Sequence, residues 1–419
     1  MKYLSSFFLV VLLHYFTFAQ TLSTATPESQ GMSTQRLQRI DKVVNEYVEK
    51  AYTAGAVVLV ARNGKIVYHK GLGYDDISIK KAMPKDAIFR IASQTKAITS
   101  VAVMMLYEEG KFLLDDPISK YIPSFKSPKV LDKFNEKDST YTTIPAKREI
   151  TIRDLLTHTS GISYAGIGTK EAVAIYAKNN IPSGIDTPNY TLEDAINRLA
   201  KLPLMHNPGE KFTYGLNTDV LGYFVEVMSG MSFDAFLRER IFKPIGMNDT
   251  YFYLPESKFG RLVTLNTEDK DKKVMKVTGD YGNFAKKKGT YFAGGAGLVS
   301  TATDYAMFLQ MLLNGGKYNG QQLLSPVTVN MMIHNQIGDL SLGYKKFGLG
   351  FGLTTVAEAA RLSPSEGTFD WGGAYSTIYW ADPKEGIIGM IMTQKVPNSY
   401  PELGDKFKVL VYQAITKLN

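Results

Sequence analysis

A serine three residues before a lysine can form a nucleophile–base pair, because positions i and i+3 share one face of a helix. Ser93-Gln94-Thr95-Lys96 has this spacing, and so does Ser78-Ile79-Lys80-Lys81. Context separates the two. Behind Lys96 run Ala97, Ile98, Val101, Ala102, Val103, Met104, Met105 and Leu106, apolar almost all the way round, which predicts a buried helix over 94–109. A lysine at that place is unusual: cations are disfavoured near a helix N-terminus, and burial penalises the charged form. A neutral Lys96 can accept the Ser93 proton. Lys81 lies in a polar, lysine-rich segment with no apolar helix behind it, so it is expected to be solvated and protonated.

Two further stretches carry groups that such a pair needs. Pro208 to Tyr214 leads into a helix bearing Asp219-Val220-Leu221-Gly222. Tyr214 reads as a packed aromatic or as a second base, since a nearby ammonium favours the phenolate. Trp371-Gly372-Gly373-Ala374 is expected to enter a strand running from Ala374 to Trp380. Its glycines permit a bend, or let a substrate approach the backbone N–H groups that an oxyanion requires.

Other chemistries find less support. No G-x-S-x-G elbow occurs, so a Ser-His-Asp hydrolase is disfavoured. His158 and His206 sit in turns and read as structural. No H-E-x-x-H occurs, and no metal or cofactor is expected. Gly348-Leu349-Gly350-Phe351-Gly352 precedes no helix that could receive a pyrophosphate, and reads as a glycine-rich strand. With no cysteine in 419 residues, thiolate catalysis, Cys-ligated metals and disulfides are excluded.

The elements that must hold these groups are legible in outline. A helical stripe (Leu37, Ile40, Val43, Val44, Tyr47, Val48) over 33–50 precedes Ala56–Ala61, Asn63-Gly64 and Ile66–Tyr68, a strand, a tight turn and its partner. At the other end, a strand from Ala374, a turn at Asp382–Gly386 and a strand over Ile387–Thr393 lead to a last helix. Its face carries Phe407, Leu410, Val411, Ala414 and Leu418. Between these ends, helices are expected over 94–109, 151–157, 192–201, 218–229 and 233–242, with a capping box at Thr191–Asp194 and long polar stretches at 124–148 and 163–190. The expected fold is of α/β (α+β) type. An antiparallel sheet flanked by helices is built from 20–92 and 296–419, a mostly helical domain from 93–295 is inserted in it, and the site lies between them.

In this order the motifs resemble those of the serine β-lactamase and penicillin-binding-protein superfamily, above all the class C-like branch and its family VIII carboxylesterases. Asp154–Gly161, Gly294–Leu298 and Asp382-Pro383 add to the likeness, which spans roughly residues 30–415. The resemblance implies a β-lactamase/transpeptidase-like fold and an acyl-enzyme on Ser93. It further implies proton transfer shared by Lys96 and Tyr214, and an oxyanion held by the backbone N–H groups of Ser93 and Ala374. Gly373 takes the place of the family's strand glycine, and Trp371 and Gly372 complete the substrate-binding strand. Two departures stand out. The family's Tyr-x-Asn reads Tyr214-Gly215-Leu216, with Asn217 one place late, and its Lys-Thr-Gly reads Trp371-Gly372-Gly373. Both favour a neutral, apolar acyl substrate over penicillins.

The remaining signals concern surroundings. Lys2, an apolar run from Leu4 to Leu13 and Thr17-Phe18-Ala19 form a leader over 1–19, cut near Ala19/Gln20. The run is short for a span of about 20 apolar residues, so an exported protein, periplasmic or secreted and without a membrane span after cleavage, is expected. The net charge of +8 and the lysine clusters at 270–276 and 286–288 fit no nucleic-acid module. The expected partner is a small acyl compound. Three readings follow: a carboxylesterase; a β-lactamase or D-amino-acid peptidase on cell-wall pieces; and a non-catalytic acyl-binding protein of the same fold.

Overall fold

The computed structural model describes residues 22–185 and 190–419; the expected leader lies outside them. Among the described residues nine strands form the central sheet. In spatial order they are Ser23–Thr24, Lys65–Asp76, Gly55–Arg62, Ile387–Met392, Thr377–Asp382, Phe369–Gly373, Gly352–Leu353 and Lys346–Phe347, with Lys81–Ala82 pairing on the Lys65–Asp76 strand. All neighbours run antiparallel except Ser23–Thr24. The Asn63-Gly64 turn takes positive φ at both residues, 51° and 74°, as an Asn-Gly hairpin requires.

Gly55–Arg62 is buried along its whole length, because helices cover both faces of the sheet. Ala56, Val58 and Val60 face a core formed with Ile40, Val44, Phe407 and Val411 of the Arg39–Glu49 and Glu402–Tyr412 helices. Val57, Leu59 and Ala61 face the larger core, with Ala306 and Leu309 of the Ala302–Leu313 helix. The two chain ends therefore share one sheet, and the expected architecture with its mostly helical insertion is present.

Several local expectations change. The strand from Ala374 to Trp380 is instead two elements: Phe369–Gly373 ends at the paired glycines, Ala374–Ser376 turn, and Thr377–Asp382 returns. Ser376, with φ 64°, makes that turn. The glycine-rich segment 348–352 is a reversal between Lys346–Phe347 and Gly352–Leu353, since Gly350 takes φ 97°. The last helix stops at Tyr412, leaving Leu418 exposed. Inside the polar stretch 124–148, Lys129–Phe134 pairs with Tyr141–Pro145, and inside 163–190 lies the Lys170–Lys178 helix. Thr191 caps its helix through the Asp194 N–H; the reciprocal capping box forms at Thr151–Asp154.

Candidate active site

The helix that follows Ser93 runs from Thr95 to Glu108, and every residue from Thr95 to Leu106 is buried. It opens through a 3-10 turn over Ala92–Gln94. Ala92 adopts φ 41°, a conformation that costs a side-chain-bearing residue about 1–3 kcal/mol and is retained where the surroundings enforce it. That turn lifts Ser93, half-buried, into an open cleft of about 510 Å³. The cleft is also lined by Ile167, Tyr214, Lys345, Asp370, Trp371, Gly372, Ala374 and Ile378. Ser78 and Lys81 lie elsewhere, where Lys81 is exposed and paired with Asp75 at 2.6 Å.

Lys96 is buried beneath the cleft. Its Nζ lies 3.3 Å from the Ser93 Oγ, 2.8 Å from the Tyr164 hydroxyl and 2.7 Å from the Gly295 carbonyl oxygen. It also sits 4.6 Å from the centre of the Tyr214 ring. Sequence reasoning expected burial to neutralise this lysine. Burial does oppose the charge, but Tyr164 and Tyr214 outweigh it and hold the ammonium above the ordinary lysine range. Tyr164 in turn is raised above the ordinary phenol range, by burial against the pull of Lys96. At rest the proton sits on Lys96, stabilised by an accepting carbonyl and a phenol oxygen.

Tyr214 closes the cluster from the cleft side. Its hydroxyl accepts the Trp371 indole N–H at 3.2 Å, and its ring packs against Tyr164, His158 and Trp371. Trp371 therefore serves the tyrosine directly, with its ring also set edge-on to Phe347. His158 is wholly buried behind this layer. Its Nδ1 faces the Asn217 side-chain amide at 2.9 Å, and burial, helped by Lys96, pushes its pKa well below 6.5. It is a neutral packing residue. His206 is likewise absorbed locally, between the Asn207 carbonyl and the Thr213 hydroxyl. Asn217, one place late for the Tyr-x-Asn pattern, also bonds Ser160 and is completely buried, so its amide does not line the cleft.

The two glycines of the substrate strand differ in purpose. A Cβ at Gly373 would stand 2.4 Å from the Ile91 carbonyl oxygen and 2.4 Å from the Thr377 hydroxyl, so only glycine lets this strand touch the chain two residues before Ser93. At Gly372 the nearest atom would be 3.2 Å away. Ala374 follows at the exposed turn, and among the described residues its N–H has no protein acceptor. Ser93 lies in the first helical turn, where N–H groups have no intrahelical partner. The predicted residues Ser93, Lys96, Tyr214, Trp371, Gly372, Gly373 and Ala374 thus meet in one place.

Four others were missed. Tyr164 and Gly295 bind the lysine, and Asp219 lies buried beside Gly295. Lys345 lines the cleft but is held by Asp370, 2.6 Å from its Oδ1, while Lys408 lies 3.5 Å from Oδ2. Gly295, within the Gly294–Leu298 motif, and Asp219, on the helix that follows Tyr214, had a sequence signal; Tyr164 and Lys345 had none. A larger surface hollow of about 770 Å³, lined by His334, Lys346, Glu366 and Lys384 among others, contains none of the Ser93 cluster. Among the described residues no group of three or more acidic or histidine side chains could hold a metal, and no single helix is long and apolar enough to cross a membrane.

Residues 40–413 match the protein family described as Beta-lactamase. The chain belongs to that family. It is 34% identical over 369 residues to Protein Rv1367c of Mycobacterium tuberculosis, covering 85% of this chain and 89% of that one. Esterase EstB of Burkholderia gladioli is 29% identical over 374 residues, again with 85% and 89% coverage. Among solved structures, EstCE1, a hydrolase with promiscuous acyltransferase activity, superposes with a TM-score of 0.77 at 27% identity, over 90% of this chain and 99% of that one. Family membership makes the chain a serine hydrolase, in line with the resemblance read from its motifs.

Proposed function

We propose that the protein is an exported carboxylesterase that acts through an acyl-enzyme on Ser93. The observation that carries this reading is the placement of one buried lysine against the Ser93 Oγ and two tyrosines, under an apolar, open cleft. In the active form the Lys96–Tyr214 pair has lost one proton. It takes the Ser93 proton as Oγ attacks the ester carbonyl, and the Ser93 and Ala374 N–H groups receive the developing oxyanion. The same proton passes to the leaving alkoxide, leaving the acyl group on Ser93. Water activated by the pair then releases the acid. The leader-like residues 1–19 support export.

Ester substrates are favoured because the strand that carries lysine and threonine in lactam-binding members of the superfamily here carries Trp371 and Gly372, and because Asn217 is withdrawn into the core. The esterase named among the relatives supports the same choice. Lys345 favours a second reading, a lactam or D-peptide substrate with a carboxylate, but Asp370 already neutralises it.

The test compares p-nitrophenyl butyrate, nitrocefin and a D-Ala-D-Ala peptide on the wild type and on Ser93→Ala. Ester turnover lost in Ser93→Ala, with little nitrocefin hydrolysis in the wild type, is the expected result. Unchanged ester turnover in the variant overturns the nucleophile assignment. Lys96→Ala is expected to lose several orders of magnitude, and a near-wild-type rate would leave Lys96 as packing.

A further inference from the structure

Asp219 is a buried charge that the proton path through Ser93, Lys96 and Tyr214 does not use. It stands in the first turn of the Asn217–Ser229 helix, where the dipole favours an anion, and has no exposed surface. Its Oδ1 accepts the Tyr291 hydroxyl at 3.3 Å, and its Oδ2 has no hydrogen-bond partner of good geometry among the described residues. That bare oxygen points at Gly295: a Cβ there would be 2.6 Å from Oδ2 and 3.1 Å from the Tyr164 hydroxyl. The carbonyl of the same glycine accepts Lys96 at 2.7 Å. Gly295 therefore stands between the carboxylate and the lysine, beside the lysine's phenol partner.

The groups facing the carboxylate come from several elements. Lys96 belongs to the Thr95–Glu108 helix, Tyr164 to the loop after Ile152–Leu156, and Tyr291 and Gly295 to the loop before Val299. Arg198, on the Leu192–Leu199 helix, acts on Tyr291. Burial pushes the Asp219 carboxyl up to about 6, against the opposing pull of Lys96 and the Gly295 N–H. Above that pH an anion shares the buried volume with the base pair. A nearby negative charge makes the loss of a proton from that pair harder.

We propose that Asp219 is a positioning residue for the Lys96–Tyr214 base: as an anion it fixes the Gly295 peptide that holds Lys96 and keeps the extra proton on the pair, setting the pH above which the enzyme becomes active. The proposal rests on Ser93 as nucleophile. Its sign is definite. With the charge removed, the pair loses its proton at lower pH, so the ascending limb of kcat/KM against pH moves down even as loss of the anchor lowers the plateau.

The experiment records kcat/KM for p-nitrophenyl butyrate from pH 5 to 10 in the wild type, Asp219→Asn and Asp219→Glu. A unit charge removed within several ångströms, at an effective dielectric of about 20, corresponds to a downward shift of about one pH unit or more in Asp219→Asn. Asp219→Glu is expected to keep the wild-type limb. If the Asn variant does not fold, Asp219→Ala is read with and without formate, which is expected to return the limb toward its wild-type position. A limb that stays put while the plateau falls, or one that moves upward, overturns the proposal. A wild type whose Ser93 is not acylated overturns the nucleophile reading instead, and mass spectrometry of the ester-treated enzyme detects that case.

Discussion

Gly373→Ala tests whether the close approach of the substrate strand to the nucleophile turn is what the chemistry needs. The new Cβ would begin 2.4 Å from the Ile91 carbonyl oxygen and equally close to the Thr377 hydroxyl. Carbon–oxygen contacts relax near 3.4 Å, so the strand must retreat by about 1 Å, or the Ala92–Gln94 turn must. Either movement separates the Ala374 N–H from Ser93, because Gly373 lies between the contact and Ala374. Loss of one oxyanion donor costs roughly 10²–10³ in kcat, about 2.7–4 kcal/mol, and a misplacement of about 1 Å alone can cost ~10²-fold. We therefore expect kcat for p-nitrophenyl butyrate to fall by about two to three orders of magnitude. Overpacking of this kind destabilises by about 1–3 kcal/mol, so a thermal melt must show the variant still folded at the assay temperature. Gly372→Ala is the internal control. Its Cβ meets nothing closer than 3.2 Å, and a change of severalfold at most is expected. A Gly373→Ala enzyme within threefold of wild type would refute the reasoning: the strand would then have moved freely, or its N–H would not bind the oxyanion.

Three further outcomes are expected. Trp371→Phe keeps a ring against Phe347 but removes the N–H that Tyr214 accepts; a hydrogen bond of this kind is worth ~0.5–1.5 kcal/mol, so kcat should fall about 2- to 10-fold with KM little changed. Tyr164→Phe removes one acceptor from the buried Lys96 ammonium and should shift the ascending limb of the kcat/KM profile to lower pH, since the pair then holds its proton less firmly. His158 has a folded pKa below its unfolded value, so the unfolded state binds more protons as pH falls below about 6.5 and stability is lost there, at up to ~1.4 kcal/mol per pH unit. Denaturant melts from pH 8 to 5 should show part of this slope missing in His158→Leu, and parallel curves would show that His158 is not buried neutral.

Much of the scaffold was legible because it follows local rules. An Asn-Gly pair, an apolar-all-round helix and fully apolar strands are each written in adjacent residues, and the Ser93–Lys96 pair and the hairpin of Gly55–Arg62 with Lys65–Asp76 followed from them. The misplaced strand start at Ala374 has a physical cause. Nothing in Ala374-Tyr375-Ser376 marks a turn, and the positive φ of Ser376 is enforced from outside. Its hydroxyl donates to the Lys395 carbonyl oxygen, and Thr393 donates to its own carbonyl oxygen. Tyr164 lay in a polar stretch without periodicity, and only the tertiary fold brings it 2.8 Å from a lysine 68 residues earlier. Lys345 gave no signal either, because its meaning depends on Asp370.

The charge state of Lys96 is where local reasoning stopped short in an informative way. A helix N-terminus and a buried position both argue for a neutral amine, and each effect is present here. They lose because the site supplies what an ammonium lacks in an apolar interior. The Gly295 carbonyl accepts one N–H, the Tyr164 hydroxyl accepts another, and the Tyr214 ring face lies 4.6 Å away. A lysine so held is a poor base alone but a good partner: it favours negative charge on an adjoining phenol oxygen. Trp371 donates to one such oxygen, that of Tyr214, on the cleft side. That division of labour explains how this site can activate a serine without an available histidine, since His158, 4.8 Å from the Tyr214 ring, is kept neutral by the same burial. The proposed base is then the lysine and tyrosine acting together. It follows that single substitutions at Lys96 and Tyr214 should each remove nearly all of the activity, and that the double variant should be scarcely worse than either.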